Sequence, residues 1–176
     1  PRPGSPGLAP RAGPAPWAAR ESGQAAAGAP SGAAVADLPF KASDAIGVLM
    51  AYSAKVRIDQ IGSNDTTDTL TNGVSSRRNQ LLMDISSELG VASVDGAAEA
   101  TLDKLAQIVN KAAPNYKPFG AVLSEALRDR LRSLFGAAGV KQQYIRDRVT
   151  NVWQLGEGWV ASVLATLLLD TREGAS

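Results

Sequence analysis

Beyond residue 40, apolar residues recur every three or four positions along most of this chain, the period of a helix with one buried face. Ala45, Ile46, Val48, Leu49, Tyr52 and Val56 share such a face behind Ser43-Asp44, whose short polar side chains suit an N-cap, so a first helix is expected from there to about Arg57. Leu81, Leu82, Ile85 and Leu89 form a second stripe that opens at Ser75 or Ser76 and stops at Gly90. Leu102, Leu105, Ile108 and Val109 predict a third helix over 99–112, with room for a short helical turn before it and Pro114 behind it. Three more are expected over 121–135, 141–155 and 158–169, and the last, apolar nearly all round, is expected at the centre. No segment alternates like a strand over more than a few residues, so the fold class is all-α with short connections.

The polar positions divide the chain further. Residues 62–69 are Gly, Ser, Asn, Asp and Thr, side chains that favour turns over helix interiors, and they are expected as a long connection leading to Ser75. Only Pro114 and Pro118 of the ten prolines lie beyond residue 40. Residues 1–39, rich in Pro, Ala and Gly with a lone Trp17, hold too little apolar surface to offset the entropy of ordering them. They read as a linker, or alternatively as a tail without function; as a coil it has a span of roughly 30–35 Å. The expected division is linker 1–39, helical core 40–118, C-terminal helical subdomain 119–172, and the start of another linker at 173–176. With no initiator Met, the chain reads as a piece of something longer.

Charge narrows the function. A net charge of +1 with both signs interspersed gives no bulk electrostatic case for nucleic acid or an anionic membrane. No apolar run reaches the roughly 18–20 residues that span a bilayer. Absence of cysteine fits a cytoplasmic protein. Asp65 and Asp68 lack calcium-loop spacing, so no metal site is expected. Asp84 and Glu88, four apart, are expected as solvated acids on an exposed face, and Arg128, Arg130, Arg132, Arg146 and Arg148 as a solvated or partner-facing surface.

The chain holds no histidine, so a Ser-His-Asp arrangement cannot be assembled and a serine hydrolase is disfavoured. Yet Asn72-Gly73-Val74 delivers Ser75 to the mouth of an amphipathic helix, beside Arg77 and Arg78. Two readings stand open. Ser75 caps the helix, as serine often does, in a structural or interaction module of a large assembly; or it is an attachment point, its helix N-terminus favouring an incoming phosphodiester.

Gly73-Val74-Ser75-Ser76-Arg77-Arg78-Asn79-Gln80-Leu81-Leu82, Asp84-Ile85 and Glu88-Leu89-Gly90 resemble the prosthetic-group helix of the acyl carrier domain in fungal and actinobacterial (mycobacterial-like) type I fatty acid synthases. The likeness extends over about 40–172, including the helix with Leu102-Asp103-Lys104-Leu105-Ala106 and the C-terminal helices with Trp153. It implies an acyl-carrier-like helical bundle with an additional C-terminal subdomain, non-catalytic, carrying 4'-phosphopantetheine on Ser75, with Ser76 the rival. It further implies shuttling of thioester-bound acyl chains inside a large homo-oligomeric assembly. The implied partners are the ketosynthase, ketoreductase, dehydratase, enoylreductase and acyl and malonyl-palmitoyl transferase domains, and a phosphopantetheinyl transferase. Val74, Arg78, Asn79 and Met83 are candidate docking residues; Met83 reads equally as core filler. Stand-alone carriers have Asp-Ser-Leu and a strongly acidic second helix, whereas this chain has Val74-Ser75-Ser76 and two arginines. Recognition by basic partner patches is therefore not expected, and tethering offers a replacement for tight docking.

Overall fold

The structure, a computed structural model, describes residues 35–172. Residues 1–34 of the linker expected over 1–39, and the linker start expected at 173–176, lie outside the described residues. Among the described residues seven α-helices form: α1 (Ala42–Ala54), α2 (Thr67–Leu70), α3 (Ser75–Leu89), α4 (Leu102–Ala112), α5 (Ala121–Phe135), α6 (Gln142–Asp147) and α7 (Glu157–Asp170). No strand occurs among the described residues, and the fold is all-α as expected. None of the described helices is long and apolar enough to cross a membrane.

Helix α1 begins earlier than the polar pair Ser43-Asp44 suggests. Lys41, in an extended conformation, occupies the N-cap, and Asp44 accepts its N–H at 2.7 Å. Ser43 therefore sits inside the first turn, where its otherwise unpartnered N–H donates to Asn110 of α4 at 2.9 Å while the Asn110 amide returns a bond to the Ser43 hydroxyl at 3.0 Å. Lys55, at φ 58°, ends the helix short of Arg57.

Two other expectations change. The polar connection contains α2, nucleated by a reciprocal cap: the Thr66 hydroxyl accepts from the Thr69 N–H at 3.2 Å, and Thr69 Oγ1 accepts from the Thr66 N–H at 2.9 Å. The segment 141–155 is α-helical only to Asp147, then widens into a π turn over Arg148–Val152. The Thr150 hydroxyl takes the Arg146 carbonyl at 2.9 Å, and Trp153 N–H closes on Arg148 at 3.1 Å, a five-residue reach.

Helix α1 packs against α3, α4 and α7, and α7 against α1, α5 and α6. The central place expected for the last helix is thus shared with α1, and α7 leaves Val163 exposed. Ile46, Leu49 and Met50 of α1, Ile85 of α3, Leu105 and Val109 of α4, Leu123 and Leu127 of α5, and Leu164 and Leu168 of α7 join in one continuous core. Each such side chain contributes about 1.5–3 kcal/mol by leaving water.

Polar contacts fix the C-terminal helices to that core. Arg172, just past α7, donates to the carbonyls of Ala51, at 2.6 Å, and Val56, which places a cation at the negative end of α1. At the other end of α7, Asp37 accepts the Gly158 N–H at 3.0 Å and Trp159 Nε1 donates to Ala36 O at 3.0 Å. A Cβ on Gly158 would lie 1.4 Å from the Leu38 carbonyl oxygen, so only glycine admits this crossing. The contacts of the helical body therefore begin at Ala36, inside the stretch expected as linker. Phe40 and Phe119 meet edge to face at 5.7 Å beneath it.

Candidate functional site

Ser75 stands where a tight turn breaks into α3. After α2, Asn72 (φ 53°) and Gly73 (φ 69°) are both left-handed, and the Gly73 N–H closes on the Asp68 carbonyl at 2.9 Å. Gly73 has open space where a Cβ would go, so its requirement is conformational rather than steric. The turn is anchored from behind. Thr66 pairs with Thr101, the Leu102 N–H donates to Asp65 O at 2.8 Å, buried Thr67 donates to Ala98 O at 3.2 Å, and Thr71 Oγ1 donates to Thr67 O at 2.7 Å. These bonds satisfy a segment too polar to hold itself by burial.

Val74, extended at φ −79° and ψ 107°, takes the N-cap, and no side chain caps α3. Ser75 is the first helical residue, one position too late to cap, and is exposed. The first intrahelical bond is Arg78 N–H to Val74 O at 3.0 Å, which leaves the N–H groups of Ser75, Ser76 and Arg77 without intrahelical acceptors. No acidic residue lies in this first turn.

The expected docking residues separate. Asn79 and Met83 follow Ser75 at four-residue intervals, so all three share the outward face of α3, opposite Leu81, Ile85 and Glu88. Met83 is 65% exposed and is not core filler. A groove of about 490 Å³ runs beside it, between Leu82, Met83 and Ser86 and the 91–98 loop. Val74 is also exposed. Arg78, in contrast, is engaged: its Nη1 lies 2.9 Å from Asp68 Oδ1, tying α3 back to α2. Arg77 forms no ion pair among the described residues.

Glu88 departs from the expectation of a solvated acid. It is 2% exposed, and its carboxylate accepts from Tyr116 Oη at 2.7 Å, the Gly120 N–H at 2.6 Å and the Leu123 N–H at 2.8 Å. Burial, and then the hydrogen bond to Glu88, pushes the Tyr116 phenol well above its ordinary range. The signal was the spacing 81, 85, 88, which puts an acid on the apolar stripe. Asp84 stays at the surface and accepts from Gln80 at 2.9 Å. No group of acids suited to a metal forms among the described residues.

Residues 36–173 match the family described as the fatty acid synthase subunit alpha acyl carrier domain. The chain is 32% identical over 144 residues to the fatty acid synthase subunit alpha of Schizosaccharomyces pombe, an alignment that covers 82% of this chain and 8% of the yeast protein. Its 138 matched residues begin at Ala36, where the contacts of the body begin, and run through all seven helices. The chain belongs to the acyl carrier domains of fatty acid synthase alpha subunits.

Proposed function

We propose that Ser75 is the attachment point for 4'-phosphopantetheine and that the domain carries acyl chains between the catalytic domains of a type I synthase in the cytoplasm. The observation that carries this reading is the position of Ser75: exposed, first in its helix, and free of the capping role that would otherwise explain a serine there. The surroundings fit the group. The phosphodiester would face the unpartnered N–H groups of the first turn and the positive end of α3, with Arg77 near and no carboxylate in that turn. When bound, the arm supplies a terminal thiol that holds the acyl chain as a thioester.

The chain's own residues hold the arm's base. Gly73 and Asn72 project the serine, the Arg78–Asp68 pair keeps the turn against α3, and Val74, Asn79 and Met83 offer a contact surface around it. The ketosynthase, ketoreductase, dehydratase, enoylreductase and transferase domains, and the transferase that loads the arm, would meet this face in turn, the tether supplying a local concentration on the order of millimolar. The C-terminal helices buttress the carrier core through Glu88 and Arg172.

Intact mass of the chain co-expressed with a phosphopantetheinyl transferase tests the reading. One prosthetic-group increment is expected, absent from Ser75→Ala and retained by Ser76→Ala. A bare wild-type chain, or an increment that follows Ser76, refutes the assignment and returns the domain to a structural module.

A further inference from the structure

Among the described residues, the face around Ser75 offers one unpaired cation, Arg77, to draw a partner in. Arg78 is neutralised by Asp68, and the exposed side chains there include Val74, Asn79 and Met83. Cations gather elsewhere. Helix α5 and the start of α6, joined by the loop through Gly136 and Gly139, enclose an open groove of about 890 Å³. Arg128, Arg132, Lys141 and Arg146 line it, over a floor that includes Leu131 and Val140, and no carboxylate does.

These cations are unequally compensated. Arg146 is held 2.5 Å from Glu157 of α7, and Arg132 only loosely, 3.6 Å from Asp129 on its own helix. Arg128 and Lys141 have no ion pair among the described residues. An open groove between low-dielectric walls lined by one sign of charge concentrates its field outward, where it speeds encounter and selects an oppositely charged surface.

We infer that the groove between α5 and α6 is an electrostatic docking site for an acidic polypeptide segment on the catalytic domains of the synthase. The inference rests on the carrier reading above. It adds a second point of contact on the C-terminal helices, away from the outward face of α3. Guanidinium forks at Arg128 and Arg132 suit paired carboxylates, and Lys141 adds a mobile charge. An exposed groove and a tether together favour a weak, salt-sensitive contact that forms and releases many times per chain synthesised.

The test is a titration of the isotope-labelled 176-residue chain with hexaglutamate, inorganic phosphate and a short RNA duplex, followed by NMR. Hexaglutamate is expected to shift amides over 124–146, to lose its effect in roughly 0.5 M salt, and to bind Arg128→Glu/Lys141→Glu about tenfold more weakly. Equal shifts with phosphate at the same concentration would mark a small-anion site and overturn the inference. Tighter binding of RNA, or hexaglutamate shifts outside the groove, would do the same.

In the intact synthase, the double variant should slow fatty acid production and flatten its salt dependence while the prosthetic-group mass at Ser75 is unchanged. Normal production with normal loading overturns the groove's role, whereas a bare Ser75 in the wild type overturns the carrier reading and leaves the titration to decide the groove. Arg128→Gln/Lys141→Gln, which removes charge without adding any, replaces the reversal if that variant unfolds.

Discussion

The Glu88 carboxylate of α3 accepts the backbone N–H of Leu123 in the first turn of α5 at 2.8 Å, so the helix that presents Ser75 also caps a helix 35 residues away. The same carboxylate holds the Gly120 N–H and the Tyr116 hydroxyl. Glu88→Gln keeps one acceptor oxygen and turns an amide N–H toward backbone donors. A loss of about 2–3 kcal/mol is expected, the scale of a broken buried hydrogen bond to a charged group. Urea denaturation of wild type and variant measures it. A loss under about 0.5 kcal/mol would mean that the cap does not hold the two helices together.

Tyr116 gives the same junction a pH dependence. Its folded pKa lies above its unfolded value, so the unfolded chain loses the phenol proton first and stability falls as pH rises. The contribution is fully present below about pH 10 and is lost as the pH climbs above it toward the folded value. Denaturation midpoints at about pH 8 and pH 11 should therefore differ more in wild type than in Tyr116→Phe. Equal slopes would remove Tyr116 from the alkaline transition.

Stability also separates the two explanations of Ser75. A capping serine replaced by alanine costs about 0.5–2 kcal/mol, whereas an exposed first-turn serine with no cap costs within about 0.5 kcal/mol. Ser75→Ala is expected to be neutral in thermal denaturation. Thr66→Ala, which deletes a true reciprocal cap on α2, is expected to cost about 1 kcal/mol. The reverse order would restore the capping role.

These contrasts show what local pattern reveals. Apolar spacing places α3, α5 and α7 to within a residue, because a helix that buries one face must repeat at 3.6. Gly90 ends α3 as expected, at φ 69°. Helix α2 escapes the pattern because hydroxyl caps and long-range bonds to Ala98 and Thr101 hold it, rather than an apolar stripe of its own. Lys41 at the N-cap of α1 escapes for a related reason: Asn110, 67 residues away, claims Ser43. Ser75 was readable as a presented serine, but spacing alone could not exclude capping; the structure puts the N-cap at Val74, one position earlier. The burial of Glu88 needed Tyr116, Gly120 and Leu123 to arrive from another part of the chain.

Two glycines near these sites should respond differently to alanine, for separable reasons. Gly73 needs its left-handed backbone but has empty space around the missing Cβ, so Gly73→Ala is expected to cost about 1–2 kcal/mol and to leave the core intact. If Ser75 is the attachment point proposed above, the larger effect of Gly73→Ala should fall on the rate at which Ser75 is loaded, because the turn that projects the serine would relax. Gly120 has an ordinary backbone, yet its Cβ would lie 1.9 Å from the Glu88 carbonyl oxygen and 3.0 Å from the carboxylate carbon. Backbone cannot yield as a flexible side chain does, so Gly120→Ala must open the junction between α3 and α5 and expose Glu88 without its partners. The expected outcome is a loss above about 3 kcal/mol, since several bonds to a buried charge break together. Parallel urea titrations and loading rates of the two variants check this. Gly120→Ala folding as stably as Gly73→Ala would mean that α5 does not press against the carbonyl of Glu88.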